Sequence, residues 1–124
     1  GTIEIWNMET GECLRTLEGH KNSVLELIIN DKNELISGSD DGTIKIWNME
    51  TGECLRTLKG HTYCVNILII NNKNELISGS YDKTFKIWNM ETGECLRTLN
   101  LRTNNLLVCS LIINNEDEFK INYS

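Results

Sequence analysis

Apolar residues arrive along this chain in short groups and never in long amphipathic stretches. Residues 24–29 (Val-Leu-Glu-Leu-Ile-Ile), 34–37 (Glu-Leu-Ile-Ser), 43–47 (Thr-Ile-Lys-Ile-Trp) and 53–58 (Glu-Cys-Leu-Arg-Thr-Leu) each carry β-branched or large apolar side chains between turn formers. All four have the length of strands, and none has the length of an ordinary helix. The connections Asn30-Asp31-Lys32-Asn33, Asp40-Asp41-Gly42 and Glu50-Thr51-Gly52 are short and rich in turn residues, so consecutive strands are expected to be antiparallel neighbours. We designate the four strands a, b, c and d. Strand a is apolar almost throughout, the pattern of a strand buried on both faces, whereas Lys45 sits between Ile44 and Ile46 in c and Arg56 between Leu55 and Thr57 in d. This places a innermost and d outermost, with no proline to interrupt the ladders.

The four-strand unit recurs. Ile-Trp-Asn-Met-Glu-Thr-Gly-Glu-Cys-Leu-Arg-Thr-Leu stands unchanged at 5–17, 46–58 and 87–99, a period of 41 residues. A period in this range means one supersecondary unit stacked on copies of itself, because a single unit cannot bury its own apolar face. Function is then expected to be a surface property of an array.

Gly19-His20 and Gly60-His61 are each followed 27 residues after the histidine by Trp47 and Trp88, with Ser37-Gly38-Ser39-Asp40-Asp41-Gly42 and Ser78-Gly79-Ser80-Tyr81-Asp82 between. With Ile-Lys-Ile-Trp and Thr-Gly at fixed offsets, this pattern resembles the WD-repeat family over nearly the whole chain. The resemblance implies an all-β fold, a β-propeller of four-stranded blades around a central channel. The chain then divides into strands c and d of a first blade (1–18), a second blade (19–59), a third blade (60–100) and a degenerate a–b pair (101–124). It also implies that His20, Ser37 or Ser39, Asp41 and Trp47 form a structural hydrogen-bond chain in one blade, and His61, Ser78 or Ser80, Asp82 and Trp88 in the next. A Ser/His/Asp set so placed is expected to tie the blade together, not to catalyse.

Three departures from the family pattern stand out. Asn7, Asn48 and Asn89 follow tryptophan where the family has aspartate, which is expected to be harmless. Leu101-Arg102 replaces Gly-His, and Phe119-Lys120-Ile121-Asn122-Tyr123-Ser124 replaces the expected Leu-Ile-Ser-Gly-Ser-Tyr-Asp, so the last half-blade lacks the polar set.

The formal net charge of -6 is spread as single charges, which disfavours nucleic acid or an anionic membrane as partner, and no apolar run reaches the length of a membrane helix. Five cysteines, three of them one repeat position, point to free thiols and a cytoplasmic location. There is no Cys-x-x-Cys pair, so no metal and no cofactor is expected.

Twelve strands amount to about three blades, fewer than a closed propeller holds. A monomer is then an open arc. Either the chain is a segment of a longer protein, the alternative favoured by its mid-repeat start, or two copies close a six-bladed ring as a homodimer. The leading functional expectation is a non-catalytic scaffold that binds a protein or peptide on the propeller's top face. By resemblance, the partner-facing positions are Ser23, Leu25 and Asp40 in one blade and Cys64, Asn66 and Tyr81 in the next, with Tyr63 and Tyr81 as aromatic anchors. The alternative is a targeting or regulatory module of a larger protein, such as a ligase subunit or a signalling ATPase. An enzyme is not expected, since no nucleophile–base pair, ligand cluster or phosphate loop lies outside the blade motif.

Overall fold

The computed structural model describes residues 1–101 as ten strands and no helix. β1 (Thr2–Trp6) and β2 (Cys13–Glu18) form a two-stranded antiparallel sheet. β3 (Val24–Ile29), β4 (Glu34–Ser39), β5 (Ile44–Asn48) and β6 (Cys54–Leu58) form a four-stranded sheet in that order. β7 (Val65–Ile70), β8 (Leu76–Ser80), β9 (Thr84–Trp88) and β10 (Cys95–Asn100) form another with the same order. All pairings are antiparallel. β4 runs two residues beyond the expected end of strand b, because Ser-Gly-Ser stays in the ladder up to the turn. The expected a–b pair at 101–124 lies, apart from Leu101, outside the described residues.

The blades stack face to face. Val65, Leu68, Leu76 and Trp88 of the third blade pack on Ile36, Ile44, Ile46 and Leu58 of the second, with Ile28 at the margin. The same interface recurs one repeat earlier, where Leu35 and Trp47 pack on Ile3 and Leu17 with Ile5 and Val24 beside them. Gly38 makes the close approach feasible: a Cβ there would lie 2.9 Å from the Val65 carbonyl oxygen.

Strand a departs from the expectation that both its faces are covered. In β7 most apolar side chains are buried or half-buried, but in β3 Leu25, Leu27 and Ile29 are exposed. Only β1 and β2, the c and d strands of the first blade, stand before β3 among the described residues, so nothing equivalent to β3 and β4 covers it. An apolar composition shows what a strand can bury; a neighbour decides whether it does.

Both a strands carry a bulge. Pairing passes from Val24–Ser39 to Glu26–Gly38 and from Val65–Ser80 to Ile67–Gly79, leaving Leu25 and Asn66 unpaired with strand b. An extra residue at such a point bends the strand and re-aims its side chain.

A polar chain inside each blade and a rim above it

The polar chain begins at the indole of strand c. Trp47 Nε1–H donates to Ser37 Oγ at 2.9 Å. That hydroxyl lies 2.6 Å from His20 Nε2, and His20 Nδ1 lies 3.0 Å from Asp41 Oδ2. The ionised Asp41 carboxylate needs a donor, so His20 Nδ1–H donates to it, and the lowered histidine pKa leaves the imidazole neutral with Nε2 accepting from Ser37, whose hydroxyl also has a longer contact of 3.5 Å to the Lys45 carbonyl. In the next blade Trp88, Ser78, His61 and Asp82 repeat the chain at 2.8, 2.7 and 2.8 Å. Each indole edge packs against its histidine, with ring centroids 6.2 and 6.3 Å apart.

Burial lowers both histidines below the ordinary 6.5, against the pull of Asp41 and Asp82. Burial by itself would raise the two carboxyls. The hydrogen bonds they accept outweigh it and hold both below the ordinary 3.8: from Thr43, the Lys21 amide and His20 on Asp41, and from Thr84, His61 and the Thr62 amide on Asp82.

The structure separates the paired serines by role. Ser37 and Ser78 stand in the chain, whereas Ser39 Oγ donates to the Ser23 carbonyl at 2.9 Å and Ser80 Oγ to the Tyr63 carbonyl at 3.1 Å. Ser39 and Ser80 also accept the backbone N–H of Asp41 and Asp82, closing the b–c turn onto the start of strand a. Sequence reasoning missed Thr43 and Thr84, whose hydroxyls donate to Asp41 Oδ1 and Asp82 Oδ1. The signal was present as Asp-x-Thr in both copies. Also unread was the pair Asn30 and Asn71, each of which accepts two backbone N–H groups of its a–b turn and donates to Glu34 or Glu75.

The Ser–His–Asp contacts have the connectivity of a hydrolase triad, but their setting is unsuited to attack. Ser37 and Ser78 are fully buried and their oxygens already hold an indole N–H. No substrate carbonyl can approach such a hydroxyl.

Above the chain, the b–c turns and the starts of strand a form one edge of the stack, the top. The Asp40 amide donates to the Ser23 carbonyl at 2.9 Å and the Tyr81 amide to the Cys64 carbonyl at 3.3 Å. Between blades, the b–c turn of the second blade touches the start of the third. Gly42, at φ +84°, presents its α-carbon to that segment, and a Cβ there would lie 3.0 Å from the His61 carbonyl oxygen and 3.4 Å from that of Tyr63. Burial, helped by the nearby charge of Asp40, pushes the Cys64 thiol up. Ser23, Asp40, Tyr63, Cys64 and Tyr81 therefore follow one another along a continuous rim, with both tyrosines exposed, at 65% and 54%. Leu25 and Asn66 lie at the bulges just inside it, Leu25 exposed and Asn66 half-buried with its buried Oδ1 unpartnered among the described residues.

Four-stranded antiparallel blades tied by a tryptophan–serine–histidine–aspartate chain define a β-propeller built of WD repeats. The family model described as "WD domain, G-beta repeat" matches residues 11–48 and 52–89, and the chain belongs to that family. Among solved structures it is similar to the WD40 β-propeller domain of Doa1, at 32% identity and a TM-score of 0.75, over 82% of this chain and 34% of that one. The chain thus spans about a third of that propeller's length. A comparison with curated proteins gives no match. WD40 propellers generally serve as non-catalytic protein-interaction scaffolds.

Among the described residues, no helix is long and apolar enough to cross a membrane, and no group of His, Cys, Asp and Glu could hold a metal ion.

Proposed function

We propose that the chain is a protein-interaction scaffold whose top rim, from Ser23 and Asp40 across to Tyr63, Cys64 and Tyr81, receives a protein or peptide partner. The observation that carries this reading is the contrast between the two layers. Every polar group of the inner chain is spent on holding the blade. The rim above it presents two exposed tyrosines and the exposed acidic side chain of Asp40 on a backbone fixed by those same blades. Exposed aromatic side chains on a rigid frame supply the large, low-entropy contacts that dominate interfaces.

We place this activity in the cytoplasm. Cys13, Cys54, Cys64 and Cys95 are free thiols, the state a reducing compartment maintains. The negative charge directs the rim toward protein and away from nucleic acid.

The test is site-specific photo-cross-linking in cells. Photoreactive residues at Tyr63 and Tyr81 are expected to trap a discrete partner that the same group at Asn33 or Asn74, in the a–b turns, does not trap. Substituting both tyrosines by alanine is expected to weaken binding of the trapped partner at least tenfold. Equal trapping at the a–b turns, or binding indifferent to the tyrosines, overturns the assignment of the rim.

A further inference from the structure

The stretch that recurs unchanged at 5–17, 46–58 and 87–99 places an arginine at the same point of each outermost strand: Arg15, Arg56 and Arg97. Identical local sequence makes each copy a control for the others. Arg56 pairs with Ile46 across β5 and β6, and residues so paired share a face of the sheet. Ile46 is buried in the cluster that joins the second and third blades, so Arg56 is directed into the seam between them. Its stem lies along the c–d turn of the third blade, where a Cβ on Gly93 would stand 3.7 Å from Arg56 Cδ. Arg15 runs the same way along the second blade's turn, its Cδ 3.6 Å from the matching point on Gly52.

The heads differ. Arg15 Nε–H donates to the Met49 carbonyl at 3.1 Å, and Arg97 Nη2 lies 3.7 Å from Glu75 Oε1. Arg56 makes neither contact, to the Met90 carbonyl or to Glu34, and its guanidinium has no other hydrogen bond or ion pair among the described residues. Beside it the seam widens into a groove of about 600 Å³ between two complete four-stranded blades. Its apolar lining is Ile46, Leu55, Met90 and Leu96, both leucines exposed. Its carboxylates are already engaged. Glu34 accepts from Asn30 Nδ2 at 2.8 Å, Glu75 from Asn71 Nδ2 at 3.0 Å, and Glu91 pairs with Lys32 across the seam at 3.3 Å. Lys73 is engaged as well. The unmet charge in the groove is therefore the Arg56 guanidinium, a fork of donors beside apolar surface.

We propose that this groove is a second interaction site, which takes an extended protein segment carrying an Asp or Glu carboxylate beside an aliphatic side chain. The carboxylate receives paired N–H bonds from Arg56, and the aliphatic group covers Leu55, Met90 and Leu96. A free anion would satisfy the guanidinium and leave the apolar lining wet; a segment bearing both groups meets both demands. The groove lies among the a–b and c–d turns, at the end of the stack opposite the b–c turns, and stands apart from the top-rim reading.

The probe is a panel of capped hexapeptides built from Asp, Leu, Ser and Lys, flowed over the full chain tethered singly by one end so that copies cannot associate. Bound hexapeptides are expected to hold Asp and Leu together. Arg56→Gln is expected to weaken the tightest of them about tenfold, and Arg56→Lys to recover part of the loss, since an ammonium cannot form the paired bonds. Leu55→Ser with Leu96→Ser, at sites already exposed, is expected to weaken it about fivefold. Arg15→Gln, and substitution of both Tyr63 and Tyr81 by alanine, are expected to leave it unchanged, which separates the groove from the first seam and from the rim.

A chain that binds none of the panel overturns the proposal, as does binding indifferent to Arg56 or stronger for Lys than for Asp. Dimerisation of the free chain that Arg56→Gln abolishes would make a second copy the occupant and overturns it too. A further comparison needs no peptide. Arg15→Gln is expected to lower the urea midpoint and Arg56→Gln to leave it in place; equal losses would show the Arg56 head engaged within the fold and so unavailable to a partner.

Discussion

Ser37 and Ser78 each satisfy two buried partners with one oxygen, so removing either strands an indole N–H and an imidazole nitrogen together. Ser37→Ala or Ser78→Ala is expected to cost about 2–3 kcal/mol, read as a shift in the urea midpoint. Thr43→Val keeps the shape and deletes one donor to a carboxylate that retains others, and about 1 kcal/mol is expected. The same groups set a pH dependence whose sign follows from their shifts. Because the folded histidines lie below 6.5, the unfolded chain takes up protons first as pH falls, and stability present above pH 6.5 declines below it. Asp41 and Asp82, lowered from 3.8, contribute stability that is present above that value and lost as pH falls through their lower folded values. Tm measured from pH 8 to pH 3 is therefore expected to fall in two stages, both toward acid. Substituting His20 and His61 by glutamine is expected to flatten the first stage. The histidines, aspartates and tryptophans of this chain were legible in the sequence through their fixed spacing. The serine of each Ser-Gly-Ser pair that joins it was not, because both are equally buried and only strand register separates their roles.

At the scale of strands and turns, the c–d connection shows why the family's aspartate can be replaced here. Asn48 Oδ1 accepts the amides of Glu50 and Thr51 at 2.8 and 3.2 Å, and Asn7 and Asn89 repeat the arrangement. The turn asks for an oxygen acceptor on a short side chain, not for a charge. Asn48→Asp is expected to leave stability within about 0.5 kcal/mol, whereas Asn48→Ala loses the two bonds and is expected to cost about 1 kcal/mol, measured by urea denaturation. Strand number, order and turn positions were readable from the apolar groups because each turn carries its own chemistry. The bulges at Leu25 and Asn66 were not. Val-Leu-Glu-Leu and Val-Asn-Ile-Leu give no sign of an extra residue, and the bulge arises where strand a meets the turn that Ser39 or Ser80 ties to it.

Across the molecule, stability is a sum over blades and the interfaces between neighbours, so one repeat position can have different energetic weight in different blades. Leu27 and Leu68 test this with chemistry and backbone held constant. Leu68 is buried among Ile36, Ile46 and Leu76, while Leu27 faces solvent beside β1. On the chain alone, Leu68→Ala is expected to cost about 2–4 kcal/mol, the range for a large-to-small change in a filled interface, and Leu27→Ala less than about 1 kcal/mol. Amide exchange is expected to follow the same gradient, with β7 and β8 protected more strongly than β3, and β1 the least of these. Equal costs for the two leucines would mean that β3 is covered in solution. The asymmetry was absent from the composition of the two strands, in which Val-Leu-Glu-Leu-Ile-Ile and Val-Asn-Ile-Leu-Ile-Ile promise the same burial, and only the strand count, with its open arc, pointed to an uncovered blade face. Burial in a stacked array belongs to pairs of blades, and a single strand's composition does not reveal whether the second member of its pair is present.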